Sequence, residues 1–544
     1  MTVETETSLW QQRANAARER RDKQLPDEYR IPQDKMPADS VKDVSNFPQE
    51  SGLFTAEELE ITEATVPILL KSIQDKKWTS VEITKAFCKR AAYAQQLTNC
   101  LSEMFFERGI AQAKELDDYY EREGKLKGPL HGLPISIKDN HHLKGTSAGI
   151  GFTKWSSELS DEDSVLSQML VSMGAVLYCK TTVPMAMMSA ETESRTFGLT
   201  VNPKNRLHTV GGSSGGEGAL SAFGGSPVGF GSDIGGSIRI PSHYNGVYGL
   251  KGTSGRIPTA GTRSGLPGQY HIKSVIGPMS RSLDSIELLA KLIYNNHAEL
   301  LDDTCVPIPW REPSLPKKLV FGVLRCDNHV RPTPAVSRAI EKAVEAVKQQ
   351  GHEVIEWKPI DHGMMNNFMM AVFTADGGKF IIDGMEDEPP LDHQAGTRDL
   401  FKDIPSSYMW ALQRERARVE RANFTQWSNS RKISQSGQIM DGLIAPVTAV
   451  PAYPHHNAYY AGYTNYWNIL DYPSVSFPVL RADASVDGKP DYEPLSKADK
   501  LLWKDYEPAD CDGGCVGLQI VTRRYEEEKA LKLAQVISDA LKQV

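Results

Sequence analysis

The sequence predicts an α/β protein in which helices cover a large mixed or mostly parallel sheet. Two observations carry that prediction: short apolar strands alternate with helices of 3.6-residue period, and the 544 residues include 40% hydrophobic and 24% charged side chains, ample for one large core. Thr79-Ser80-Val81-Glu82 has capping-box spacing and opens a helix with Ile83, Phe87 and Ala91 stacked at four-residue intervals. A second helix is expected over residues 105–120. Residues 133–137 then read as a strand that delivers Lys138 and Asp139. Residues 164–173 read as a helix stopped by Gly174, and residues 175–179 as a buried strand. The alternation recurs in a helix over 335–350, apolar at Val336, Ile340, Val344 and Val347, and a strand over 353–357. Residues near 360–430 look helical and are candidates for a lobe of their own. Residues 1–55 are polar and dotted with proline, an arm lying on the main body or on a partner subunit, and residues 56–544 form the main domain.

Charge and cysteine usage narrow the class. The net charge of -8, with no basic stripe to offset it, argues against nucleic acid as a partner. Seven scattered cysteines, an odd number, fit reduced thiols in a cytoplasmic protein rather than a disulfide framework. Cys511 and Cys515 are the one close pair and have no second pair beside them, so no metal site and no cofactor are expected. The segment holding Arg13, Arg18, Arg20 and Arg21 is followed by no apolar run, and no stretch approaches the roughly 18–20 apolar residues of a membrane span. A soluble, cytoplasmic chain is expected, with a homodimer left open.

The most informative segment is Gly211-Gly-Ser-Ser-Gly-Gly-Glu-Gly218, followed by Gly231-Ser-Asp-Ile-Gly-Gly-Ser-Ile-Arg-Ile-Pro241. Eleven glycines fall within the 26 residues from Gly211 to Gly236. That density permits tight turns aiming several N–H groups at one point. No Lys-[ST] pair follows Gly218 to complete a P-loop, and no G-x-G-x-x-G register fits. Gly211 to Gly215 satisfies G-x-S-x-G, the nucleophile elbow of α/β-hydrolases, but none of the 13 histidines has the context of a Ser-His-acid enzyme.

Taken together, these segments resemble the amidase signature family, with one departure at Ser221, where an aliphatic residue or Thr is usual. The resemblance continues through Asn245 to Lys251 and Gly255 to Pro258. Upstream, Gly132-Leu-Pro-Ile-Ser-Ile-Lys-Asp139 looks like the segment bearing the family's lysine. Downstream, Asp441 to Pro446 and Val516 to Val521 resemble its C-terminal strands. It spans roughly residues 55–540 and is nearest to fungal acetamidase-type amidases, more distantly to fatty acid amide hydrolases. It implies an α/β/α fold around a central mixed sheet, no metal, and cleavage of a small uncharged amide, with esterase side activity in scope.

The resemblance assigns Ser237 as nucleophile, Ser213 as the bridging serine and Lys138 as base. A lysine serves as base only if desolvation lowers its pKa, and the end of an apolar strand is where that burial is expected. A hydroxyl both donates and accepts, so Ser213 can relay a proton between Ser237 and Lys138. The backbone N–H groups of Ile234, Gly235, Gly236 and Ser237 are the expected oxyanion hole. Asp233, Arg239 and Ser214 are expected to brace the loops, with Ser232 a hydrogen-bonding neighbour. By the same resemblance Met187 and Met188 lie near the acyl pocket. A second methionine cluster (Met364, Met365, Met369, Met370) and the tyrosines at 459, 460, 463 and 466 are further candidates for its walls. Two other classes stay open: the amidase subunit of a tRNA-dependent amidotransferase, and an inactive homologue used for binding.

Overall fold

The short apolar runs become eleven strands of one mixed sheet in the computed structural model, which describes residues 7–393, 401 and 403–544. In chain order these are β1 Leu101–Met104, β2 Pro134–Lys138, β3 Val176–Thr181, β4 Gly229–Asp233, β5 Tyr248–Lys251, β6 Val275–Ser280, β7 Val320–Val323, β8 Glu353–Glu356, β9 Gly442–Pro446, β10 Ser474–Arg481 and β11 Cys515–Val521. Across the sheet they run β1-β3-β2-β4-β6-β5-β10-β11-β9-β7-β8. β2 is parallel to both β3 and β4, with Lys138 opposite Thr181 and Ile137 opposite Phe230. β4 then pairs antiparallel with β6. Two parallel strands therefore end side by side, one at Lys138 and the other at Asp233.

The helices that cover the sheet and shape the site are α1 Leu9–Lys23, α2 Ser80–Thr98, α3 Phe106–Glu123, α4 Gly215–Phe223, α5 Arg239–Asn245, α6 Pro334–Gln349, α7 His362–Phe373, α8 Ser406–Asn429, α9 Gly462–Ile469 and α10 Glu527–Leu541. Thr79 caps α2 in the expected box, its hydroxyl accepting from Glu82 N–H at 3.1 Å while Glu82 accepts from Thr79 N–H at 2.8 Å. The sheet is covered on both faces. In β9, Ile444 joins the core built with α2, α4, α6 and α10, whereas Leu443 and Ala445 join the core built with α5, α7, α8 and α9. That alternation is the period-two signature of a strand buried on two sides, and it makes the molecule three layers thick.

The stretch 7–55 lies on this body. Ala14 and Ala17 of α1 are buried, Arg20 donates to Glu103 Oε1 at 2.7 Å, and Tyr29, Val44 and Phe47 are part of the main core. In the helical 360–430 region, Met365 and Met369 of α7 pack into the second core with Met409 and Trp427 of α8. The second methionine cluster is thus core filling, apart from Met370, which is 44% exposed. All seven cysteines are free thiols, and no described helix is long and apolar enough to cross a membrane.

Candidate active site

Lys138 is the last residue of β2 and is fully buried, flanked along the strand by the equally buried Ile135 and Ile137. Its Nζ donates to Ser213 Oγ at 2.8 Å and to Ser232 Oγ at 2.9 Å. Burial lowers its pKa from 10.5 to about 7, although the nearby carboxylates of Asp233, Glu217 and Asp139 pull the other way. Asp139 is not its hydrogen-bonded partner. That carboxylate accepts from Ser102 Oγ at 2.8 Å and from Ile150 N–H at 2.7 Å. The lysine is therefore held by hydroxyls, which can accept from an ammonium or donate to a neutral amine and impose no fixed countercharge.

The two glycine clusters meet at this point. Ser213 follows a cis Gly212–Ser213 peptide, and Gly212 lies flat against the backbone of residues 189–191, with no room for a Cβ. Ser214 N–H donates to Ser237 C=O at 3.1 Å, and Ser214 Oγ lies 3.3 Å from both Ser232 N–H and Ser232 C=O. Ser214 thus ties the first cluster to the end of β4 and to the loop carrying Ser237. That loop needs a glycine at 236: its φ is +134°, and a Cβ would fall 2.3 Å from Thr464 Oγ1.

Asp233 organises the loop from below. Its carboxylate accepts from Arg239 Nε at 3.1 Å and Nη2 at 3.0 Å, from Asn468 Nδ2 at 2.9 Å, and from the N–H groups of Gly236 at 2.8 Å and Ile238 at 3.1 Å. Arg239 and these donors hold the acid well below the usual carboxylate range despite complete burial. Arg239 reaches on to Gln519 Oε1 at 3.0 Å, whose amide donates to Pro446 C=O at 2.7 Å, so the loop is pinned to β9, β11 and α9. This bracing alters the expected oxyanion hole. Gly236 N–H is already engaged by Asp233, while the N–H groups of Ile234, Gly235 and Ser237 have no protein acceptor among the described residues.

Ser213, Ser232 and Ser237 open into one pocket. Among the described residues no hydrogen bond joins the Ser213 and Ser237 hydroxyls, and no histidine lines the pocket. Met187 and Met188 form one wall, with Ala186 and Met187 held at φ of 56° and 57°, unusual for side-chain-bearing residues. Ile234 and Ile276 add apolar surface, and the loop over residues 259–274 forms the facing rim with Arg263 and Lys273. The tyrosines stand elsewhere. Tyr460 donates to Asp327 Oδ2 at 2.7 Å, Tyr463 to Val330 C=O at 2.6 Å and Tyr466 to Ile360 C=O at 2.7 Å, all three rings buried in the second core.

Two features escaped the sequence reading. The 259–274 rim is polar, glycine-dotted and aperiodic, so it carried no signal. Glu217 did carry one, a carboxylate inside a glycine run. It is wholly buried on α4, accepts from Ser136 Oγ at 2.8 Å and Thr181 Oγ1 at 3.1 Å, and is pushed up to about 7 by burial.

The order of the sheet and the apposition of its two glycine loops beside a shared pocket define an amide hydrolase on the amidase-signature fold. The chain belongs to the family described as Amidase, whose profile matches residues 82–531. It is 36% identical to an acetamidase of Emericella nidulans over 548 residues, covering 98% of each protein, and 35% identical to an acetamidase of Aspergillus oryzae over 550 residues, covering 98% of this chain and 99% of that protein. A solved structure of fatty acid amide hydrolase superposes with a TM-score of 0.93 at 32% identity, covering 98% of this chain and 95% of that one.

Proposed function

We propose that the chain hydrolyses a small uncharged amide to a carboxylic acid and an amine or ammonia through an acyl-enzyme on Ser237. The observation that carries this reading is the 2.8 Å bond between Lys138 Nζ and Ser213 Oγ in a buried setting that favours the neutral amine. Neutral Lys138 takes the Ser213 proton as Ser213 takes that of Ser237, and Ser237 Oγ attacks the carbonyl carbon. The Ser213–Ser237 bond forms by rotation of the Ser237 side chain within the shared pocket. The free N–H groups of Ile234, Gly235 and Ser237 receive the oxyanion, and Gly236 joins them only by releasing Asp233. The proton returns through Ser213 to the leaving nitrogen, and water then releases the acid by the same relay. Asp233, Arg239 and Ser214 act by holding the loop.

Met187 and Met188 supply an adaptable wall for the acyl group. The small-amide reading is supported by the acetamidases among the relatives. We further take residues 1–55 as an arm and 56–544 as the catalytic domain, and the protein as cytoplasmic, its association into dimers left to measurement. A hydrolysis screen over acetamide, benzamide, an anilide, a long-chain acyl amide and matched esters, with fluorophosphonate labelling, tests the reading. Turnover by the purified chain alone, with the label on Ser237, is expected. Turnover that requires a second subunit, or label on another serine, overturns it.

A further inference from the structure

Glu193, His393 and His456 come from three distant parts of the chain, yet their ligand atoms lie within 4.8 Å of one another at the surface. His456 Nε2 is 2.8 Å from Glu193 Oε2 and His393 Nδ1 is 3.8 Å from the same oxygen. The two imidazoles stack with centroids 4.3 Å apart. Two ligand atoms of a tetrahedral zinc site with bonds of about 2.1 Å stand about 3.4 Å apart, a value that the two observed separations bracket. The backbone at His456 is fixed from outside the cluster. His456 N–H donates to Glu191 Oε2 at 2.7 Å. Glu191 Oε1 also meets His455 Nδ1 at 2.5 Å, and His455 Nε2 meets Arg206 C=O, so both nitrogens of that neighbour are occupied.

His393 follows a run of residues stitched to the body by Arg13 on Glu386, Thr153 on Glu388 and Arg195 on Pro390 C=O and Asp392.

We propose that Glu193, His393 and His456 form a binding site for a divalent transition cation of the zinc class, separate from the catalytic serines. Two imidazoles and one carboxylate suit zinc, with water in the fourth position. The cation would fasten the 386–393 segment to the short strand Glu193–Ser194 and to the 455–456 turn. Met385, immediately before that segment, packs in one cluster with Ala186, Met187 and Met188, so the fastening stiffens the back of the pocket wall. No step of amide hydrolysis passes through the metal.

The test is calorimetric titration of zinc chloride into the full chain after chelator treatment. One zinc per chain is expected, with a raised thermal midpoint as for any ligand of the native state. His393→Ala, His456→Ala and Glu193→Gln should each weaken binding by more than about a hundredfold, beyond the loss of an outer partner. These three substitutions, away from the catalytic serines, should leave zinc-free amide hydrolysis unchanged, and Ser237→Ala should keep wild-type zinc affinity. Absence of saturable binding, or binding that all three variants retain, would overturn the proposal. His456→Gln, closer in shape, guards against a folding artefact: it should fold and lose zinc.

Discussion

Replacing Lys138 by alanine separates this mechanism from one that uses a different base. With the lysine at about pH 7, the neutral, base-competent fraction is about 10% at pH 6 and about 1% at pH 5. Wild-type kcat/KM on an amide should therefore fall about tenfold per pH unit on the acid side and level off above neutrality. Glu217 sits behind the lysine, bonded to Ser136 two residues earlier on β2 and to Thr181 across the register. It also titrates near 7, so the acid limb belongs to the pair. Lys138→Ala should remove the limb and lower the plateau by a factor of about 10² or more. Amides should lose more than esters, because an amine must be protonated before it leaves and an alkoxide needs that help less. Glu217→Gln removes a neighbouring negative charge that favours the ammonium, so its limb should move to lower pH at the same slope. The assay is kcat/KM for a matched amide and ester from pH 5 to 9 in all three proteins. An acid limb that persists in Lys138→Ala, with equal losses on both substrates, would refute the assignment.

Ser237→Ala should abolish turnover and fluorophosphonate labelling with an unchanged circular dichroism spectrum; label on Ser213 or Ser214 would reassign the nucleophile. Asp233→Asn leaves the buried Arg239 cation without its partner and should cost about 3–5 kcal/mol in denaturant unfolding. Gly229→Ala places a Cβ 2.0 Å from Glu217 Oε2 and 2.3 Å from Ser136 Oγ, and should destabilise by about 1–3 kcal/mol. EDTA should leave amide hydrolysis by His456→Gln, which lacks the proposed zinc site, at its initial rate in a continuous assay; inhibition of that variant restored by zinc would contradict the proton relay.

The layered fold was legible because its elements obey simple periods. The capping box at Thr79 and the apolar rows of α2 and α6 state helix directly, and residues 133–137 alternate as a strand must. Lys138 could be read as buried because it closes such a strand. The two serine clusters could be read as neighbours of each other and of Lys138 only through resemblance, since the lysine reaches the second cluster because β2 and β4 pair in parallel and the first cluster is tied to the second through Ser214, long-range facts that no local pattern encodes. The tyrosines misled for a related reason. An aromatic run before Asn468 fits a pocket wall as well as it fits a core, and only the hydrogen bonds to Asp327, Val330 and Ile360 decide for the core. Ser232 was ranked below Ser213, yet both hydroxyls accept from the lysine at nearly equal distance. Strand position gave no means of ranking them, because the side chain of Lys138 can reach either.

The glycines around the serines do more than shape one loop. Added methyl groups at Gly212 and Gly216 would land on backbone atoms at 2.4 and 2.5 Å, which no side-chain rotation relieves. Along the pocket rim, by contrast, Gly268 has nothing within 4 Å of an added Cβ, and Tyr270 is 77% exposed. The hydrolytic apparatus is therefore frozen against drift, while the outer part of the rim around Gly268 and Tyr270 is free to change. A lineage carrying this architecture would diversify its choice of amide through the 259–274 rim, one tolerated replacement at a time, and leave the chemistry where it stands.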